Sequence, residues 1–200
     1  MAAPKNDAER ARIYNAAIKL FCREGYERTT YRAIAETCET TRSAVQYYYP
    51  QKDQFVAQFF NAHLECIYNR VQEKIGTHSD VLETFCMMGL LHFDFLLNDR
   101  SVRPFISDVI ANRALTASMV ISERDWAEQH MPKSKLSVSN ADALTVALGG
   151  AYELIYQAYL SKSEITPLYV EEAAILPFAL GRGYTRKHVK EILKKCSDLL

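Results

Sequence analysis

The chain has 200 residues, 48% of them hydrophobic, and its 24 Lys/Arg balance 24 Asp/Glu to a formal net charge of zero. That length and apolar content suit one or two compact units, each with a real hydrophobic core. Zero net charge argues against broad nucleic-acid affinity, but the charge is uneven: residues 1–52 hold nine Lys/Arg against six Asp/Glu, and the remainder 15 against 18. A basic excess at one end, doubled in a dimer, fits a specific binder of DNA. The five cysteines, at 22, 38, 66, 86 and 196, form no CxxC pair and read as reduced core thiols on helical faces. The first twelve residues, MAAPKNDAERAR, lack the apolar stretch of a signal peptide. No uninterrupted apolar run approaches ~20 residues, so no membrane span is expected and the location expected is cytoplasmic.

In chain order, residues 1–6 read as a loose arm. Asp7 can cap a first helix that carries Ile13, Ala16, Ala17, Leu20 and Phe21 at helical spacing and stops at Gly25. Thr30 suits the N-cap of a short second helix, whose Ile34, Ala35 and Cys38 face inward. Glu39-Thr40-Thr41 breaks the periodicity, and Thr41 can cap a third helix from Arg42 to Tyr48, anchored by Val45 and ended by Pro50. Two short helices at a steep angle make a helix-turn-helix, whose second helix fits a DNA major groove. On its outer face Arg42, Ser43, Gln46 and Tyr47 cannot all meet a core. Arginine bonds guanine in two places and glutamine does the same to adenine, so these four are expected at base edges or adjacent phosphates. Thr30, Tyr31, Thr41, Tyr48 and Lys52 are expected along the backbone, and Arg32 can reach either.

A long helix follows, opening at Pro50 or Gln51 and reaching Lys74, with Gly76 and Thr77-His78-Ser79-Asp80 as its stop and turn. Val81 to Leu97 is almost wholly apolar and reads as buried on most sides. Shorter helices are expected over Val102–Asn112 and Ala114–Gln129, then a loop at Met131-Pro132-Lys133-Ser134-Lys135. Long helices cover Asn140–Leu160 and Leu168–Leu180. Gly181-Arg182-Gly183 is a stop, and Thr185 caps a last amphipathic helix to Leu199. No stretch alternates like a strand, so the fold expected is all-α: a three-helix helix-turn-helix domain over 1–52 and a larger helical ligand-binding and dimerisation domain over 53–200.

The first fifty-odd residues resemble the DNA-binding domain of the TetR family of bacterial transcriptional regulators. The resemblance rests on Ile13 to Gly25 (IYNAAIKLFCREG), Tyr26, Thr29-Thr30, Ile34-Ala35, and Ala44 through Lys52 (AVQYYYPQK). It implies a helix-turn-helix that reads an operator, and a C-terminal domain in which a bound small molecule shifts the spacing of two DNA-reading heads. The chain departs from the family pattern at Glu39, where a turn glycine is usual, at Gln46 for a tyrosine, and at Tyr48 for a histidine.

No catalytic grouping is found: there is no Gly-rich phosphate loop and no nucleophile elbow. His63 and Cys66 are i, i+3, but no further ligand lies at useful spacing, so neither metal nor cofactor is expected. The C-terminal part instead offers Met88, His92, Phe93, Phe105, Met119, Trp126, Tyr152 and Tyr156 as material for a pocket between helices, since methionine adapts its shape and tyrosine and tryptophan join bulk to a polar tip. Ala143, Ala147, Gly150 and Ala151 recur along one side of the long helix and mark a candidate homodimer interface. A glycine inside a helix costs ~1 kcal/mol against alanine, so the Gly149-Gly150 pair suggests close backbone approach. The function expected is a ligand-responsive regulator, a repressor, that binds a near-palindromic operator as a homodimer and is released by a small apolar or aromatic molecule. A helical protein–protein adaptor with a vestigial DNA-binding head and a helical enzyme are the alternatives.

Overall fold

A computed structural model describes residues 6–76, 80–130 and 139–200. Among these are ten helices and no strand: α1 (Asp7–Glu24), α2 (Tyr31–Thr37), α3 (Arg42–Tyr48), α4 (Asp53–Ile75), α5 (Val81–Asn98), α6 (Arg103–Ala111), α7 (Arg113–His130), α8 (Asn140–Ser161), α9 (Pro167–Leu180) and α10 (Arg186–Leu199). The chain is all-α, as its periodicity implies. The arm at residues 1–5, the turn at 77–79 and the loop at 131–135 lie outside the described residues.

The chain divides into two compact units. One holds residues 1–59 and 100–118, the other 60–99 and 119–200. The first therefore differs from a domain cut at residue 52, because α6 belongs to it. The reason is aromatic packing: Phe105 stacks on Phe21 with ring centroids 5.3 Å apart and meets Phe59 edge-on at 5.1 Å.

In this unit α1 buries Ile13, Ala17 and Phe21 completely and packs against α2 and α6. Its N-cap is Asn6, one residue ahead of the Asp7 expected. The Asn6 Oδ1 accepts from Ala8 N at 3.0 Å, while Asp7 becomes the first helical residue, where its charge complements the helix dipole. Gly25 ends the helix at φ +92°, and a Cβ there would stand 2.6 Å from Asp108 Oδ2, which also accepts from Glu27 N. Gly25 is thus required both by its conformation and by the close approach of α6.

Thr30 caps α2 and Thr41 caps α3, each hydroxyl accepting a first-turn amide at 3.1 Å. Between them α2 closes in a Schellman turn: Thr40 N donates to Ala35 O at 2.9 Å and Glu39 N to Glu36 O at 3.4 Å. Glu39 holds the left-handed position of that turn at φ +50°, where a Cβ is unfavourable. Helix α4 starts later than expected, at Asp53. The step after Pro50 is a turn in which Gln54 N donates to Gln51 O and Phe55 N to Lys52 O, both at 3.3 Å.

The second unit is built around α5, which buries nine side chains and packs against α9 and α10. By length and composition α5 could cross a membrane, but more than half of it is buried inside this unit, as in a core helix. Helix α9 in turn packs on α8 and α10. Arg182 ties the end of α9 to the start of α8: its guanidinium donates to Asn140 Oδ1 and lies 3.6 Å from the Phe178 ring centroid.

Glu39→Gly should stabilise the protein by about 0.5–1 kcal/mol, since removing the left-handed strain outweighs the added freedom of the unfolded chain. Urea unfolding checks this, and a lowered midpoint would contradict it.

Candidate functional site

The residues expected to touch DNA fall into two groups. Thr30 and Thr41 use their side chains as caps. Tyr31 donates its hydroxyl to Tyr49 O at 2.9 Å, and the Tyr48 hydroxyl accepts from Asn6 N at 3.2 Å. Arg32 pairs with Glu36 at 2.8 Å, on the surface. The two tyrosine contacts tie α2 to the end of α3 and α3 to the start of α1.

Lys52 differs most from its expected place on a phosphate. Its ammonium donates to Tyr26 O and lies 3.8 Å from the Tyr26 ring centroid. Burial draws its pKa below the usual lysine value. The stem is half-buried, so the charge finds its partners inside the unit.

Arg42, Ser43, Gln46 and Tyr47 form the exposed face of α3, opposite the fully buried Val45. Ser43 Oγ lies 3.0 Å from Thr41 Oγ1, and Tyr47 meets Tyr48 edge-on at 5.3 Å. Arg42 and Gln46 have no side-chain hydrogen-bond partner among the described residues. An arginine and a glutamine one helical turn apart on a rigid, outward face present two bidentate groups for a groove.

In the second unit α4, α5, α7, α8 and α9 line a cavity of about 90 Å³. Of the residues expected in a pocket, Met88, His92, Phe93 and Trp126 line it. Met119 and Tyr156 are absent from its lining, Tyr152 lies behind His92 and Glu123, and Phe105 belongs to the core of the other unit. Sequence reasoning missed Glu123 and Glu171, both of which line the cavity and are more than nine-tenths buried. It also missed Gly89, where a Cβ would fall 1.9 Å from Glu171 Oε2.

Behind the cavity wall runs a buried polar chain. His63 Nε2 lies 3.2 Å from His92 Nδ1, and His92 Nε2 lies 2.9 Å from the Tyr152 hydroxyl and 3.1 Å from Glu123 Oε1. Tyr152 donates to Glu123. Burial pushes Glu123 up to about 8 despite the Tyr152 hydrogen bond, and pushes His63 down to about 4. Burial, helped by His63, draws His92 well below the usual imidazole value. The chain is therefore neutral near pH 7, which is how a low-dielectric interior tolerates it. His63 turns to His92 while Cys66 is exposed, so this pair does not converge on a shared ligand position. No group of three or more metal-ligating side chains occurs among the described residues.

On the α8 and α9 surface a groove is lined by Ala143, Val146, Ala147, Gly150, Ala151, Leu154, Ala173 and Pro177. Val146 is 75% exposed, and a Cβ at Gly149 or Gly150 would meet nothing within 4 Å. Nothing inside the described chain demands glycine at either position.

Residues 13–59 match the family model described as bacterial regulatory proteins, tetR family. No curated protein sequence matches the chain. Among solved structures, the chain is similar to RolR without ligand, at 15% identity over 92% of this chain and 96% of that one, with a TM-score of 0.64. It is also similar to FadR of Thermus thermophilus in complex with lauroyl-CoA, a TetR-family transcriptional repressor, at 16% identity over 86% and 93% with a TM-score of 0.56. A third is SmeT, repressor of the Stenotrophomonas maltophilia multidrug efflux pump SmeDEF, at 15% identity over 90% and 92% with a TM-score of 0.54. At these identities the likeness is one of fold.

The protonated form of Glu123 favours the folded state, so its contribution is complete below about pH 4.5 and is lost as pH rises through about 8. The clearest window is pH 7 to 8, above the range in which unfolded His63 and His92 take up protons, at about 6.5. There Glu123→Gln should flatten the fall of stability with pH, removing up to about 1.4 kcal/mol per pH unit. Urea melts at both pH values check this, and an unchanged slope in the variant would contradict it.

Proposed function

We propose that this chain, whose residues 13–59 match the tetR family of bacterial regulatory proteins, is a ligand-responsive transcriptional repressor that binds a near-palindromic operator in the cytoplasm as a homodimer. A small apolar or aromatic molecule, held in the cavity of the second unit, releases it. The observation that carries this reading is the exposed face of α3. Every other candidate on α2 and α3 has a structural partner, while Arg42 and Gln46 reach solvent side by side. RolR is known in complex with resorcinol and Thermus thermophilus FadR with lauroyl-CoA, so this fold accepts small ligands of unlike chemistry.

Two copies of the chain are needed because one seven-residue helix reads only a few base pairs. The apolar groove on α8 and α9 supports a two-fold pair through those helices. Its exposed Val146 and its two unhindered glycines make sense where a second backbone approaches.

Gel shifts with the DNA upstream of the protein's own gene test the function: a sequence-specific, salt-sensitive shift is expected, and none over a wide dose range rejects it. Arg42→Ala should cost about 1–3 kcal/mol on the cognate sequence and relax specificity if Arg42 is bidentate to guanine. Lys52→Ala should instead lower stability while leaving the salt slope of binding unchanged. A flattened salt slope for the lysine variant would show that its ammonium leaves Tyr26 for a phosphate.

Gly150→Leu should yield folded monomers that no longer hold operator DNA, because the side chain enters open space within one chain. Sedimentation showing a tight dimer for this variant would place the interface elsewhere.

A further inference from the structure

The cavity contains two acidic side chains and no lysine or arginine to answer them. Glu171 is 3% exposed, lines the cavity from α9, and has no hydrogen-bond partner among the described residues. Glu123 lines it from α7, and its Oε2 is buried without a partner. Gly89 supplies the room: with any Cβ on α5 at that position the Glu171 carboxyl could not stand where it does.

A buried acid without a partner weakens a fold unless something else binds it. The rest of the wall is apolar and aromatic, with Phe85, Phe93, Trp126 and Phe178. Aromatic faces attract cations, most strongly where water is excluded. Buried acids and aromatic rings lining one mostly apolar pocket are complementary to one ligand class.

We infer that the cavity binds a small lipophilic ammonium, a primary amine on an apolar body of about one ring, with its N–H groups directed to Glu171. This inference rests on the reading of the second unit as ligand-binding. The size follows from the volume: an apolar cavity of about 150 Å³ admits benzene, and this one of about 90 Å³ admits a ring only as Met88 yields. An anionic ligand would bring its charge into a wall with no lysine or arginine, where burial keeps His92 neutral.

Binding also moves a proton. The amine enters as an ammonium, its own pKa being about 10. Burial holds Glu171 well above the ordinary carboxylate range, which favours its protonated form in the empty cavity. On binding, Glu171 becomes a carboxylate and releases its proton to solvent, and the ion pair carries no net charge. Amine affinity therefore rises with pH. The titratable groups around Glu171 are Cys86 and His92 on α5, Glu123 on α7, Tyr152 on α8 and Cys196 on α10. Burial keeps both thiols and the Tyr152 hydroxyl neutral, so the carboxyls carry the dependence.

The test is calorimetric titration of the full chain at pH 7 with 2-phenylethylamine, 2-phenylethanol and 3-phenylpropanoate. The amine should bind about tenfold or more tighter than the alcohol, as hydrogen bonds to charged groups exceed neutral ones, and the carboxylate should not bind. Titration in two buffers of different ionisation heat should show net proton release for the amine alone. Glu171→Gln should bring the amine to parity with the alcohol, and Gly89→Ala, which displaces the same carboxyl, should do likewise if Glu171→Gln does not fold.

Parity in the unmodified chain, a preference for the alcohol or carboxylate, or no binding by any of the three overturns the inference. So does an amine preference that survives both variants. A gel shift in saturating amine separates this from the regulatory reading. Preferred amine binding that leaves operator DNA bound rejects the regulation and keeps the ligand class. Release of DNA by the alcohol, with the amine no better, does the reverse.

Discussion

A seven-residue helix does not hold itself in water, where isolated helices shorter than ~12–15 residues are marginal. Helices α2 and α3 are both seven residues long, so the DNA-reading face exists only through what holds them from outside. Threonine caps close their first turns. A Schellman turn joins them. Val45 and Tyr49 anchor α3 in the core, where the Tyr49 ring lies 3.9 Å from that of Phe55. The Tyr31 hydroxyl ties α2 to the backbone just after α3. With the polar groups on the inner side thus engaged, the outer side presents Arg42 and Gln46 on a fixed frame. Preorganisation of that kind lets two side chains discriminate bases without first ordering a helix.

The second unit obeys a different constraint. Its core helix α5 is nearly surrounded, and the polar groups it brings inside must be satisfied there or neutralised. His92 solves this through His63, Tyr152 and Glu123, all within one buried chain. Glu171 does not, and Gly89 makes space for it rather than excluding it. A chamber that is apolar by area yet keeps an unanswered acid has the form of a binding site rather than of a packing defect.

The parts legible in the sequence were those set by local chemistry. Thr30 and Thr41 announce caps because a hydroxyl before a helical run has few other uses. Gly25 announces a stop, and Glu39 a strained turn, because φ is decided within a few residues. Helix identity came from periodicity. Its ends shifted where neighbouring side chains and a proline decide, as at Asn6 and Asp53. What was not legible depends on contacts between distant segments. Lys52 reads as a phosphate contact until Tyr26, 26 positions earlier, takes its ammonium. Phe105 reads as pocket lining until it is seen stacked on Phe21. Glu123 and Glu171 look like surface charges on amphipathic helices, and a glycine such as Gly89 does not reveal that a glutamate on a distant helix needs its room. A hint did exist in the helical spacing: Glu123 has Met119, Val120, Trp126 and Ala127 three and four positions away, and Glu171 has Ala174 and Ile175, which puts each acid on an apolar face.

Selection of bound DNA from a random-sequence pool tests the central claim most directly. The account predicts enrichment of one near-palindromic sequence, its half-sites separated by about one helical turn of 10 bp or a multiple, and loss of the enrichment when Arg42 is replaced. A pool that stays unenriched through repeated rounds at physiological salt, with the folded protein intact, would contradict it.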